Sequence, residues 1–143
     1  TEIGADLDKI FAEIKKIDWA SLTREDFAKQ IARLFPKLWQ VHPFREGNTR
    51  TTVMMMTFFV ERYGYYFDQN LMAESAGYVR DSFVLASLGE HSEYEHLEKI
   101  LLDAICIEPV EYANGDIVSK DKTDNYEKYK SKNYTPTKHE YME

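Results

Sequence analysis

Cysteine is almost missing from this chain: Cys106 is the single one in 143 residues. No disulfide can form within the chain, so a reducing, cytoplasmic setting is the simpler expectation. Cys106 stands in Leu101-Leu102-Asp103-Ala104-Ile105-Cys106-Ile107 with no histidine beside it, which reads as a small core residue rather than a nucleophile. Long apolar runs are missing too. The longest, Val53 to Val60, falls far short of the roughly 20 residues that a bilayer-crossing helix needs, and the opening residues do not form a signal peptide. Positive charge is scarce: 18 Lys and Arg face 25 Asp and Glu, for a formal net charge of -7. That argues against a non-specific nucleic-acid binder, which needs a basic face, and no nucleic-acid polymer is expected as a partner. A nucleotide ligand is not, because Mg²⁺ and a few placed cations suffice for it. Alternating strand patterns are also lacking, which makes the expected architecture all-α.

What is present is an ordinary globular balance, 43% hydrophobic and 30% charged, in a length that suits one core. Leu7, Ile10, Phe11, Ile14 and Ile17 recur at helical spacing, so Gly4 to Ile17 reads as an amphipathic helix. Thr23-Arg24-Glu25-Asp26 resembles a capping box ahead of Phe27, Ile31, Leu34, Phe35 and Leu38, with Pro36 expected to kink or break that helix. Thr49 to Tyr63 has no Gly or Pro, and Gly64 follows as a C′ residue. Its nearly continuous apolar content, including Met54-Met55-Met56, makes it the expected buried centre of the bundle. Phe67 to Leu85 reads as one helix capped near Asp68 or Asn70, with Arg80 and Asp81 expected to pair on its face, the alternative being that they support the site. Ser92 is expected to cap a last helix that runs to about Ile107 before Pro109. His91, His96 and His139 are scattered among charges and form no metal pair.

Two regions follow: a core over residues 1–110 and a charged, Tyr-rich tail over 111–143. The tail reads as a solvated segment with some local helix. The alternative is docking through Tyr112, Tyr126, Tyr129, Tyr134 and Tyr141.

The chemistry is concentrated in His42-Pro43-Phe44-Arg45-Glu46-Gly47-Asn48-Thr49-Arg50, between two helices. Gly47-Asn48 opens a helix, whose first turn offers N–H groups and partial positive charge to an anion. Asn48 and Arg50 add donors suited to phosphate oxygens. Glu46 suits Mg²⁺, which takes one or two carboxylates together with phosphate oxygens. His42 is placed to act as a general base. Singly, each of these is an ordinary surface group; together they supply the parts of phosphoryl-type chemistry.

This stretch resembles the Fic (filamentation induced by cAMP) motif, His-x-Phe-x-(Asp/Glu)-Gly-Asn-Gly-Arg-x-x-Arg. The resemblance covers about Ile3 to Ile107 and implies a Fic-fold helical bundle. It also implies an adenylyltransferase that moves AMP from ATP to a Tyr, Ser or Thr hydroxyl of a protein, which can be the chain itself. On that resemblance His42 is the base and Phe44 anchors the loop. Glu46 binds Mg²⁺, and Arg45, Gly47, Asn48, Thr49 and Arg50 are the candidate phosphate contacts. Fic cores also carry a β-hairpin flap just ahead of the first helix, which is expected upstream of Thr1 to Asp6.

The chain departs from the motif at Thr49, in place of the second glycine, and at Val53, in place of the second arginine. Thr49 is tolerable if its φ is negative. Val53 cannot reach a γ-phosphate or pair with an inhibitory glutamate, so donors other than ATP, or AMP removal, stay open. A catalytically weak nucleotide-binding module is the non-enzymatic alternative. The inhibitory pattern (Ser/Thr)-x-x-x-Glu-(Gly/Asn) has no full match: Ser21 to Glu25 is followed by Asp26, and Thr123 to Glu127 by Lys128. The first of these reads instead as part of a helix cap.

Overall fold

The computed structural model describes residues 2–41, 47–109, 112–113, 116–117 and 126–130. These residues are mainly helical, as the missing strand alternation predicts. Helix α1 (Glu2–Lys15) buries Ile10 and Ile14 and packs on α2 (Arg24–Val41). Between them a 3₁₀ turn, Trp19–Ser21, inserts Trp19, whose indole N–H donates to the carbonyl of Ile14 (2.8 Å). Thr23 caps α2 by accepting from the Asp26 N–H (3.1 Å), so Ser21 to Glu25 does belong to a helix start.

Pro36 does not break α2. The helix runs through it with Pro36 buried. A proline inside a helix costs about 3 kcal/mol. Burial of Leu34, Phe35 and Leu38 on the same turns offsets this at roughly 1.5–3 kcal/mol for each side chain.

Helix α3 (Asn48–Arg62) ends where the glycine signal places it. Gly64 has φ +89° and its N–H returns to the carbonyl of Glu61 (3.0 Å). The helix is less enclosed than its composition implies. Thr52, Met56, Thr57 and Val60 are buried, whereas Met54 and Phe58 are 52% and 66% exposed. Thr52 and Thr57 can occupy the inner face because their hydroxyls donate to the carbonyls one turn back, Asn48 (2.8 Å) and Val53 (2.9 Å). An aromatic cluster seals α1, α2 and α3. Phe27 meets Trp19 and Tyr65 edge-on at 5.1 Å, and Phe59 sits 4.7 Å from Trp19.

The expected helix over Phe67 to Leu85 is two: α4 (Gln69–Glu74) and α5 (Ala76–Leu85). They divide at Ser75, whose φ of -106° and ψ of 28° leave the helical region, next to the weak helix former Gly77. Asp68 does cap α4, by accepting from the Leu71 N–H (3.1 Å). Ser92 does not cap α6, whose N-cap is Tyr94; its hydroxyl accepts from the Leu88 N–H (2.9 Å). Helix α6 (Glu95–Ala104) stops short of Ile107 because Ile105–Cys106 extends into a strand. That strand, β2, pairs antiparallel with β1 (Tyr66–Phe67), in the register Tyr66↔Cys106 and Phe67↔Ile105. Cys106 is buried there, as a core residue. A second two-residue ladder joins β3 (Tyr112–Ala113) to β4 (Asp116–Ile117). It lies after the helical core in the chain, so it is not the hairpin expected ahead of α1; that flap lies outside the described residues.

The expectation of a solvated tail fails at residues 126–130. Tyr126 and Tyr129 are buried. The Tyr126 hydroxyl donates to the carboxylate of Asp68 (2.6 Å), and that of Tyr129 donates to Asp103. The Tyr129 ring also meets Tyr78 edge-on at 4.7 Å. Burial, then the Asp103 carboxylate, hold the Tyr129 phenol far above its ordinary pKa. The unfolded chain releases that proton near pH ~10, while the folded chain keeps it. This contact therefore stabilises fully below about pH 10 and progressively less above it. In urea titrations across that range, the Tyr129→Phe variant is expected to lose less stability with rising pH than the parent. Parallel profiles would show that Tyr129 does not titrate on unfolding.

Candidate active site

The two helices that flank the motif bring part of it to a cleft. Gly47 adopts φ +76°, ψ 19° as the N-cap of α3, a left-handed conformation that favours glycine. The first α-helical bond then runs from the Thr51 N–H to the Gly47 carbonyl (2.9 Å), so the helix itself uses none of the N–H groups of its first turn. Nothing lies within 4 Å of where a Gly47 side chain would begin. Backbone conformation, more than crowding, accounts for glycine here.

Thr49 resolves the first departure from the motif. It sits in the first turn of α3, where φ is helical and negative. Its hydroxyl accepts the indole N–H of Trp39 (2.9 Å). Trp39 in turn stacks on Phe83 of α5, with ring centroids 5.7 Å apart and 14° between planes. The side chain that a glycine would lack thus ties the start of α3 to α2 and, through Trp39, to α5.

The cleft holds about 800 Å³, enough for a nucleotide-sized ligand. The start of α3 forms one wall, with Gly47, Asn48, Thr49 and Arg50 followed by Val53 and Met54. Across from it lie Gln69, Met72 and Ala73 of α4 and Ala76, Val79 and Arg80 of α5. The floor is largely apolar, and the charged groups among the described lining residues are two arginines. No carboxylate lines it among the described residues, in a chain whose net charge is -7. Arg50 stands in the first helical turn, where a cation is unfavourable unless an anion offsets it.

Of the residues singled out from sequence, Gly47, Asn48, Thr49 and Arg50 therefore share this cleft. His42, Phe44, Arg45 and Glu46 lie outside the described residues. Trp39, Gln69 and Met72 are not among the residues singled out from sequence; Arg80 is, as a support for the site or a partner of Asp81. The signal that could have found the α4–α5 wall is a helical stripe, Gln69, Met72, Ala73, Ala76 and Arg80, small in the middle and polar at both ends. The expected Arg80–Asp81 pair does not form; Arg80 is exposed and makes no ion pair among the described residues. Elsewhere, ligand atoms of Glu93, Glu95 and His96 come within 4.8 Å of one another at the start of α6. Acids are favoured at that end of any helix, so the group needs no metal to explain it. No described helix is long and apolar enough to cross a membrane.

Comparison with known proteins agrees with the motif. A protein adenylyltransferase of Bartonella henselae is 34% identical over 91 residues, which cover 64% of this chain and 16% of that protein. A probable protein adenylyltransferase of Sinorhizobium fredii is 33% identical over 70 residues, 48% of this chain and 36% of the relative. The chain thus spans well under half the length of either. No solved structure matches it. Residues 2–60 match the model of the Fic/DOC family, a stretch that runs from the start of α1 through the motif into the last turns of α3 and builds one wall of the cleft. Over residues 2–60, this chain is therefore similar to the Fic/DOC family.

Proposed function

We propose that this chain binds ATP in the cleft at the start of α3 and transfers its AMP to a protein hydroxyl. The observation that carries this reading is the cleft itself: a helix N-terminus and two arginines with no described carboxylate among them, joined in sequence to His42 and Glu46. An anion bound at Gly47–Arg50 meets the N-terminal turn and the partial positive charge of α3. Met72, Ala73, Ala76 and Val79 add an apolar surface to the same cleft.

In this reading His42 takes the proton of the target hydroxyl as its oxygen attacks the α-phosphorus. The bond from that phosphorus to the bridging oxygen breaks, AMP stays on the target and pyrophosphate leaves. The N–H groups of α3, Asn48 and Arg50 hold the phosphate oxygens and offset their charge. Arg45 is a further candidate contact. Because no carboxylate lines the described part of the cleft, Glu46, next to Gly47 in the chain, is the acid that would hold Mg²⁺; the ion would supply charge neutralisation at the phosphates. The hydroxyl belongs to a protein target or to this protein itself. Tyr126 and Tyr129 are poor candidates, since both are buried and hydrogen-bonded.

A second donor stays open because Val53, which lines the cleft, brings no charge to it. The deciding experiment supplies the protein with Mg²⁺ and ATP labelled on either the α- or the γ-phosphate. AMP transfer leaves the α label on protein and frees the γ label. Retention of the γ label would mean phosphorylation instead. If neither label is retained while CDP-choline modifies the protein, the donor is different and the AMP reading falls.

A further inference from the structure

We propose that Arg80 makes this cleft selective for a nucleoside di- or triphosphate over a monophosphate. The inference rests on the nucleotide reading above and adds a residue that the motif does not contain. Arg80 is thirty positions beyond Arg50 in the sequence, on a different helix, yet both line the same cleft. Between Gln69 and Arg80 the α4–α5 wall offers only Met72, Ala73, Ala76 and Val79, none of which can bind an anion. One phosphate held at the start of α3 engages the N–H groups there and Arg50. A second guanidinium on a separate wall has no use for that phosphate's charge unless the anion extends towards it. A polyphosphate chain is the part of a nucleotide that does so, since it presents several anionic groups in a row.

Arg80 is also free to act. It is exposed and forms no ion pair among the described residues, so binding an anion breaks no salt bridge seen there. The planar fork of guanidinium donors suits phosphate oxygens. Val53 on the facing helix adds no competing charge.

The test is calorimetric titration of the protein with AMP, ADP and ATP in the presence of Mg²⁺, for the parent, Arg80→Met and Arg80→Lys. The parent is expected to bind ADP and ATP more tightly than AMP. Arg80→Met should weaken ATP about tenfold and AMP less than about twofold, and Arg80→Lys should fall between parent and Met for ATP, since it keeps the charge but loses the fork. Thermal melting should be unchanged in both variants, because the side chain is exposed. Equal losses for all three nucleotides, or no loss for ATP, would overturn the role of Arg80 while leaving nucleotide binding standing. Failure of the parent to bind any of the three would overturn the nucleotide reading, and this inference with it.

Discussion

Replacing His42 with alanine is expected to reduce AMP transfer by about a hundred- to ten-thousandfold, the usual contribution of a positioned general base. ATP affinity should change by less than about twofold. The separation of the two effects follows from where the charges lie. The groups proposed to hold phosphate are the start of α3, Arg50 and Arg80, all of which line the cleft and none of which His42→Ala touches. In the proposed reaction the imidazole acts on the hydroxyl, not on the nucleotide, so its loss should appear in turnover and not in binding. Intact mass spectrometry after incubation with Mg²⁺ and ATP reads the transfer, and calorimetry reads the binding. A variant that still adds AMP at the parental rate would remove His42 from the mechanism. A variant that loses ATP along with transfer would make His42 a binding group.

The second large effect is structural. Asp68→Ala is expected to destabilise the fold by about 3 kcal/mol. The Asp68 carboxylate is buried and one of its oxygens serves two partners, the Leu71 N–H at the start of α4 (3.1 Å) and the Tyr126 hydroxyl (2.6 Å). Loss of an N-cap costs about 1 kcal/mol. The Tyr126 hydroxyl, left without an acceptor, adds roughly 1–3 kcal/mol. Tyr126→Phe removes only one of these bonds and should cost about 1 kcal/mol. The double variant should be less unstable than the sum of the two, because the cycle counts the shared bond once. Chemical denaturation of the four proteins measures this. Strict additivity would show that the Tyr126 contact contributes nothing to stability. Limited proteolysis gives a second readout, since both variants should expose the chain around residue 126 to cleavage.

How far sequence alone reached depended on whether local chemistry or distant packing set each feature. Helix α3 was legible because two glycines at positive φ bound it, Gly47 and Gly64, and glycine is the residue those angles favour. The Thr23 cap and the Asp68 cap were legible for a similar reason: short polar side chains serve N–H groups three residues away. The division at Ser75 and the continuity through Pro36 were not. The first has only the single weak helix former Gly77 as a local signal, and the second goes against a local rule and is offset by the burial of its neighbours. The full burial expected of α3 failed because composition records how apolar a helix is, not which face the fold covers. Met54 and Phe58 fall on the side left open. Tyr126 and Tyr129 sat in a stretch whose average polarity suggested solvation, and two buried hydroxyl contacts overrode the average.

The site divides in the same way. Gly47, Asn48, Thr49 and Arg50 are consecutive, so a motif finds them. Trp39 and Arg80 meet them only after α2 and α5 have docked, and no spacing rule links residues so far apart in the chain. The placement of His42, Arg45 and Glu46 lies outside the described residues, and the chemistry assigned to them rests on the motif.

One long-range contact bears on how the molecule is made. The guanidinium of Arg24 donates to the carbonyls of Leu102 (2.6 Å) and Ile105 (3.0 Å), partners 78 and 81 positions later in the chain. The same region of α2 packs on α6. The segment that carries the family motif therefore meets its covering surface only after some forty further residues have been synthesised. While the ribosome is still adding them, α2 has no α6 to pack against. A nascent chain that stops just after the motif would hold every residue of α3 proposed to bind phosphate and still present an uncovered apolar face, a substrate for chaperones and proteases.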